Sequence, residues 1–390
     1  MRRLIMVLSL TLLISGCAGT NVTAGRYHRS SSATLKFPEG VLVYPLPVRR
    51  YKRLFYVCRT KYFRIYFVKK DYPLALKAST AVDFIYEFLS DWYGCELRTP
   101  YNLYYLPDKE AGYWATGQMH SFGGMIAGKS GTAYIMSKTA NLYIVIHELS
   151  HLFIGRKIRK PIPRWFDEGL AVYLSSPERN DLFYIVRLCR KVNSLKHIYS
   201  WREMERPDFD MLKERGSYDV AASIIVFLAR KYGEETIRKT IDLYSSKKFK
   251  WNFHQALKEC CHIPIGELES EWRGFIRRYA GKEVKPPNIV FLGTPEITND
   301  DAGNIMVMGK VQNQGDGTAY NIKVNFEFKT FEGMSLGKAS GAIEGSPYIG
   351  YQELIESALK PKEVGRYRLS TAIPRRGEVT YTYAVTWEYK

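Results

Sequence analysis

The chain has 390 residues, 46% hydrophobic and 25% charged, which is enough apolar sequence for two or three packed domains and too much for a disordered chain. Its formal charge is +18, yet no RNP-like aromatic pattern, helix-turn-helix signal or Cys/His finger spacing accompanies it, so no nucleic-acid partner is expected. The basic residues are spread along stretches such as RKIRKP and KKFKW, as on a solvated surface; attraction to anionic lipid headgroups is the alternative.

Reading from the N-terminus, Arg2 and Arg3 precede an apolar run at 4–14 that is too short to span a bilayer and suits a signal peptide. The run ends in Leu13-Ile14-Ser15-Gly16-Cys17, which resembles the lipobox of bacterial lipoproteins: small residues before the cleaved bond, then a thiol to carry the lipid. The resemblance implies a signal peptide at 1–16, lipidation of Cys17 and an exported chain anchored to a bacterial membrane. Because Ala18 follows the cysteine, it implies the periplasmic face of the outer membrane in a Gram-negative cell. The polar, small-residue stretch over the rest of 17–40 reads as a flexible tether. Five cysteines remain, an odd number, so at least one is free or paired between chains, and their spacings match no zinc knuckle.

From 41 to 282 the pattern mixes strands and helices. Aromatic and β-branched residues predict strands at 63–68, 101–106 and 132–136. A helix is predicted over 73–94, opening on Pro73 and stopping at Gly94. The glycine-rich SFGGMIAGKSG (121–131) reads as a loose loop, with a mobile flap over the cleft as the alternative, and His120 beside it as structural or exposed. Helices are predicted at 138–155 and at 164–176, and the signals are helical throughout 217–281. Pro286 and Pro287 mark a linker at 282–288. Beyond it, at 288–390, alternating runs separated by turn signals such as NQGDGT and PRRGE predict a small β-sandwich.

Chemistry concentrates in the helix at 138–155. There Ile144-Val145-Ile146-His147-Glu148-Leu149-Ser150-His151-Leu152-Phe153 sets three titratable side chains in aliphatic surroundings, where unpartnered polar groups would cost roughly 1–3 kcal/mol each. His147 and His151, four apart, project from one helix face and can reach one metal ion. Glu148 lies about 100° around the helix, placed to take a proton from water without ligating the metal. A catalytic zinc site usually has three protein ligands. The following helix, PRWFDEGLAVY, offers two neighbouring carboxylates, Asp167 and Glu168.

His147-Glu148-Leu149-Ser150-His151 followed by Pro163, Trp165, Glu168, Gly169 and Ala171 resembles the gluzincin metallopeptidases, and most closely the peptidase MA-like group. The resemblance implies an α+β zincin-like domain over 41–282. It implies one catalytic Zn2+ held by His147, His151 and Glu168, with Glu148 as general base. It places Tyr218 as an oxyanion donor and makes 132–136 the edge strand that binds extended substrate. Fewer residues separate His151 from Glu168 than in the gluzincin aminopeptidases, and no exopeptidase motif is present. The stretch at 307–333 resembles the FxLYD-type sandwich of bacterial surface proteins, although FEFKTFEG departs from the family string; it implies a spacer or a protein-contact module. The function expected is a membrane-anchored zinc metallopeptidase acting on extracytoplasmic proteins or peptides. The competing expectations are a lipoprotein binding or assembly module with a structural zinc site, and a zinc hydrolase of a non-peptide amide.

Overall fold

Runs of aromatic and β-branched residues build the first sheet, and tertiary pairing rather than local propensity decides its order. The computed structural model describes residues 42–50, 53–116, 124–126, 132–206, 216–246, 249–250, 252–350, 354–375 and 377–389. The signal peptide, Cys17, the tether and His120 lie outside them. The strands are β1 (Leu42–Arg50), β2 (Arg53–Arg59), β3 (Phe63–Phe67), β4 (Tyr101–Leu106), β5 (Gly124–Ile126) and β6 (Thr132–Met136), in the spatial order β1-β2-β3-β4-β6-β5. β1 to β3 form an antiparallel meander. β3, β4 and β6 run parallel, and β5 returns antiparallel along β6. The parallel steps need crossovers, which α1 (Tyr72–Ser79), α2 (Val82–Tyr93) and α3 (Lys109–Thr116) supply.

Three expectations change here. The helix expected over 73–94 is two helices, broken at Thr80 and Ala81. Ser79 Oγ donates to Leu76 O and Thr80 Oγ1 to Lys77 O, so hydroxyls compete for the carbonyls that would continue the helix. The strand at 132–136 is not an edge, because β5 covers its outer side. β5 itself comes from the glycine-rich stretch read as a loop; three residues give no periodicity, and the ladder of β6 organises them.

Helices follow the sheet: α4 (Leu142–Lys157), α5 (Arg164–Leu174), α6 (Leu182–Asn193), α7 (Ser217–Tyr232), α8 (Glu234–Ser245), α9 (Phe253–Cys261) and α10 (Ile265–Ala280). Among the described residues no helix is long and apolar enough to cross a membrane, and the five described cysteines are all free. The first region is therefore mixed α/β, a sheet plus helices, and the C-terminal region is β-rich.

That region contains β7 (Ile289–Asn299), β8 (Asn304–Asn313), β9 (Tyr320–Thr330), β10 (Ser335–Ala342), β11 (Ser346–Ile349), β12 (Leu354–Ala358), β13 (Val364–Pro374) and β14 (Val379–Glu388). Sheets β10-β9-β14 and β13-β8-β7 enclose one core, with Val324, Phe326 and Phe328 from one and Val307, Val311, Tyr367 and Leu369 from the other. Burial alternates along β9 and β13, as two-faced strands require. β11 and β12 form a separate hairpin-like pair. Glu39–Lys390 make up one compact unit, so strand and helical regions are packed together. Gly315, in the NQGDGT turn, lies under the linker: a Cβ there would sit 2.1 Å from Pro286 O.

Candidate metal centre

Two helices carry the chemistry, and each is held by packing rather than by propensity. α4 carries β-branched Ile144, Val145 and Ile146, poor helix formers, directly after Leu142 and Tyr143. Asn141 caps it, its side chain accepting from Ile144 N–H at 3.0 Å. Val145, Ile146, Leu149 and Phe153 are buried, and Phe153 stacks on Tyr93 of α2 at 5.7 Å. Ser150, inside the His-Glu-Leu-Ser-His string, is buried and shares a 2.6 Å hydrogen bond with the Tyr93 hydroxyl, so its polarity carries no cost.

α5 starts after Pro163, whose carbonyl accepts from Phe166 and Asp167 N–H. Trp165 packs on Trp201 at 4.8 Å and Phe166 on Phe253 at 4.4 Å, which fixes the helix's rotation about its axis. That rotation turns Glu168 towards α4. On the opposite flank α5 meets α7 through Gly169: a Cβ at this position would lie 2.5 Å from Ala221 O. Only glycine allows the two backbones this close, and the closeness brings the first turn of α7 over the histidines. Tyr218, half-buried in that turn, has its ring 6.3 Å from the His147 ring at an interplanar angle of 29°.

The imidazoles and one carboxylate converge. His147 Nε2 lies 3.2 Å from His151 Nε2 and 3.2 Å from Glu168 Oε2, and His151 Nε2 lies 3.5 Å from the same oxygen. Donors about 2.0–2.1 Å from a tetrahedral zinc ion lie about 3.3–3.4 Å from one another, so this triangle has the size of a zinc face. Glu168 is only 2% exposed, and its Oε2 is buried without a hydrogen bond. The two imidazole nitrogens lie 3.2 and 3.5 Å from it, and a cation in the triangle would satisfy all three groups. His147, His151 and Glu168 can hold a metal ion.

Two neighbours that spacing alone did not assign complete the set. Asp167 Oδ1 lies 2.7 Å from His151 Nδ1. A proton shared there fixes the ring with Nε2 facing the triangle, the usual support of a metal-ligating histidine. Asp167 therefore faces the far nitrogen of His151, while Glu168 faces the triangle. Arg164, four residues before Glu168, holds Oε1 through Nη2 at 2.8 Å, leaving Oε2 as the single oxygen turned inwards. Sequence reasoning passed over Arg164; its signal was the i, i+4 spacing.

The charges follow from this geometry. Burial acts to lower the His151 pKa, but the Asp167 carboxylate, its hydrogen bond and then Glu168 outweigh it and hold the ring well above the ordinary histidine range. Burial acts to raise the Glu168 pKa, and the imidazoles of His147 and His151 overturn that, keeping the carboxylate ionised. Glu148 is also buried, at 7% exposure, on the helix turn that carries His147.

No protein-family model matches the chain. No curated protein matches it either. Among solved structures, Legionella pneumophila aminopeptidase A in complex with aspartic acid is similar over 90% of this chain and 38% of that one, with 13% identity and a TM-score of 0.34. The chain thus spans less than half the length of that protein.

Proposed function

We propose that the protein is a zinc-dependent peptidase of gluzincin type, exported and held at a bacterial membrane by lipid on Cys17, acting on extracytoplasmic proteins or peptides. The observation that carries the reading is the convergence of His147 Nε2, His151 Nε2 and the buried Glu168 Oε2 at zinc-face spacing.

His147, His151 and Glu168 would hold the ion. When bound, zinc supplies a Lewis acid and brings the pKa of a water towards about 7. Asp167 orients His151 through Nδ1. Arg164 holds Glu168 by its outer oxygen. Glu148 takes the proton from water and returns it to the leaving amine. Tyr218, whose ring lies 6.3 Å from that of His147, would donate a hydrogen bond to the charge that develops on the carbonyl oxygen.

Zinc content tests this first. The soluble chain beginning after Cys17 is expected to carry close to one zinc, and Glu168→Ala much less. A folded, metal-replete parent without zinc would end the peptidase reading and leave a lipoprotein binding module. Tyr218→Phe is expected to keep its zinc and lower turnover of a quenched peptide library by roughly 10²–10³-fold. Unchanged turnover would remove Tyr218 from the mechanism.

A further inference from the structure

The C-terminal strands meet the helical region at the first turn of α4 and along the segment that leads from α5 into α6. Glu178 lies in the loop between α5 and α6, is buried, and accepts a hydrogen bond through Oε1 from the Tyr348 hydroxyl on β11. Tyr143, in the first turn of α4, shares a hydrogen bond with the same phenol. Beside this joint, Asp181 Oδ2 accepts from Thr318 N–H at 2.7 Å, and Asp316 O accepts from Phe183 N–H at 3.1 Å.

Tyr143 precedes His147 by four residues, so it stands on the same stripe of α4 as both histidines, about 6 Å along the helix axis. Tyr348 therefore ties the metal-facing stripe of α4 to the chain that leaves α5, the helix of Glu168. The Tyr348 ring is 6% exposed and stacks on Tyr320 at 4.9 Å and 12°, so its place does not depend on the hydroxyl. The hydroxyl in turn satisfies a buried carboxylate that would be costly to leave unpaired.

We propose that Tyr348 is a positioning residue of the metal centre: through its hydroxyl, the C-terminal sandwich locks the first turn of α4 to the loop after α5. The lock fixes the spacing between the two histidines and Glu168. The sandwich is then a working part of the site rather than a spacer. This rests on the zinc reading above.

Tyr348→Phe removes one oxygen and keeps the stacked ring. Zinc affinity of the soluble chain, measured by chelator competition, is expected to weaken about tenfold in this variant, the loss typical of groups that orient metal ligands. Tyr383→Phe, on the exposed face of β14, is expected to match the parent. A residue of merely structural role would lower the melting temperature without moving zinc affinity, so a Tyr348→Phe variant that binds zinc as tightly as the parent overturns the proposal. Hydrogen exchange in the metal-free chain gives an independent reading, with faster exchange expected in Tyr348→Phe at 142–147 and 175–181. If the parent takes up no zinc, the metal reading fails, and exchange alone decides the joint: faster exchange there supports it and unchanged exchange overturns it.

Discussion

Glu148→Gln is expected to keep its zinc and to lose turnover by roughly 10²–10⁴-fold, the usual share of a general base. Gln matches Glu in shape, so the buried side chain keeps its packing on α4. What it loses is the ability to take a proton. Because Glu148 follows His147 directly, it lies about 100° off the stripe of the two histidines and should not ligate the ion. Zinc stoichiometry and peptide hydrolysis, measured on the same preparation, separate the two roles. Retained zinc with lost hydrolysis assigns Glu148 as the base. Zinc lost in parallel would make it a ligand, and unchanged hydrolysis would remove it from the chemistry.

The parts of the site legible in sequence were those set by local spacing. Two histidines four apart can reach one ion from a helix, where they stand one turn apart, but not from a strand, where about 13 Å separates them; α4 is that helix. Spacing alone left Asp167 and Glu168 open and only the family resemblance favoured Glu168; the physical reason is the rotation of α5, set by Trp165 on Trp201 and Phe166 on Phe253, partners far along the chain. Local propensity could not place β5, whose three residues are organised by pairing with β6, and it overlooked α3 and α6. Nor could it find the Tyr143–Tyr348–Glu178 joint, which brings together residues about two hundred positions apart. Tyr143 had one local signal, its place four residues before His147, and that signal stands out only once the sandwich is seen against it.

The largest effect on architecture is expected from Gly169→Ala. A methyl group there meets Ala221 O at 2.5 Å and its carbonyl carbon at 2.7 Å, both main-chain atoms near the start of α7. A side chain could turn away; a helix backbone must move as a body, so α5 and α7 separate. Overpacking of this kind costs about 1–3 kcal/mol. The functional loss should exceed that figure, because the separation draws Glu168 from the histidines and Tyr218 from His147 at the same time. Gly155→Ala is the matched control. Gly155 lies on the exposed side of α4 with no atom within 4 Å of its added methyl, so the gain is the ordinary helix preference for alanine, about 0.5–1 kcal/mol. Thermal melts and chelator competition on both variants are expected to move in opposite directions for stability, with zinc affinity falling only in Gly169→Ala. If Gly169→Ala melts and binds zinc like the parent, the contact between α5 and α7 does not set the geometry of the metal centre, and the Glu-Gly-Leu-Ala string needs another explanation.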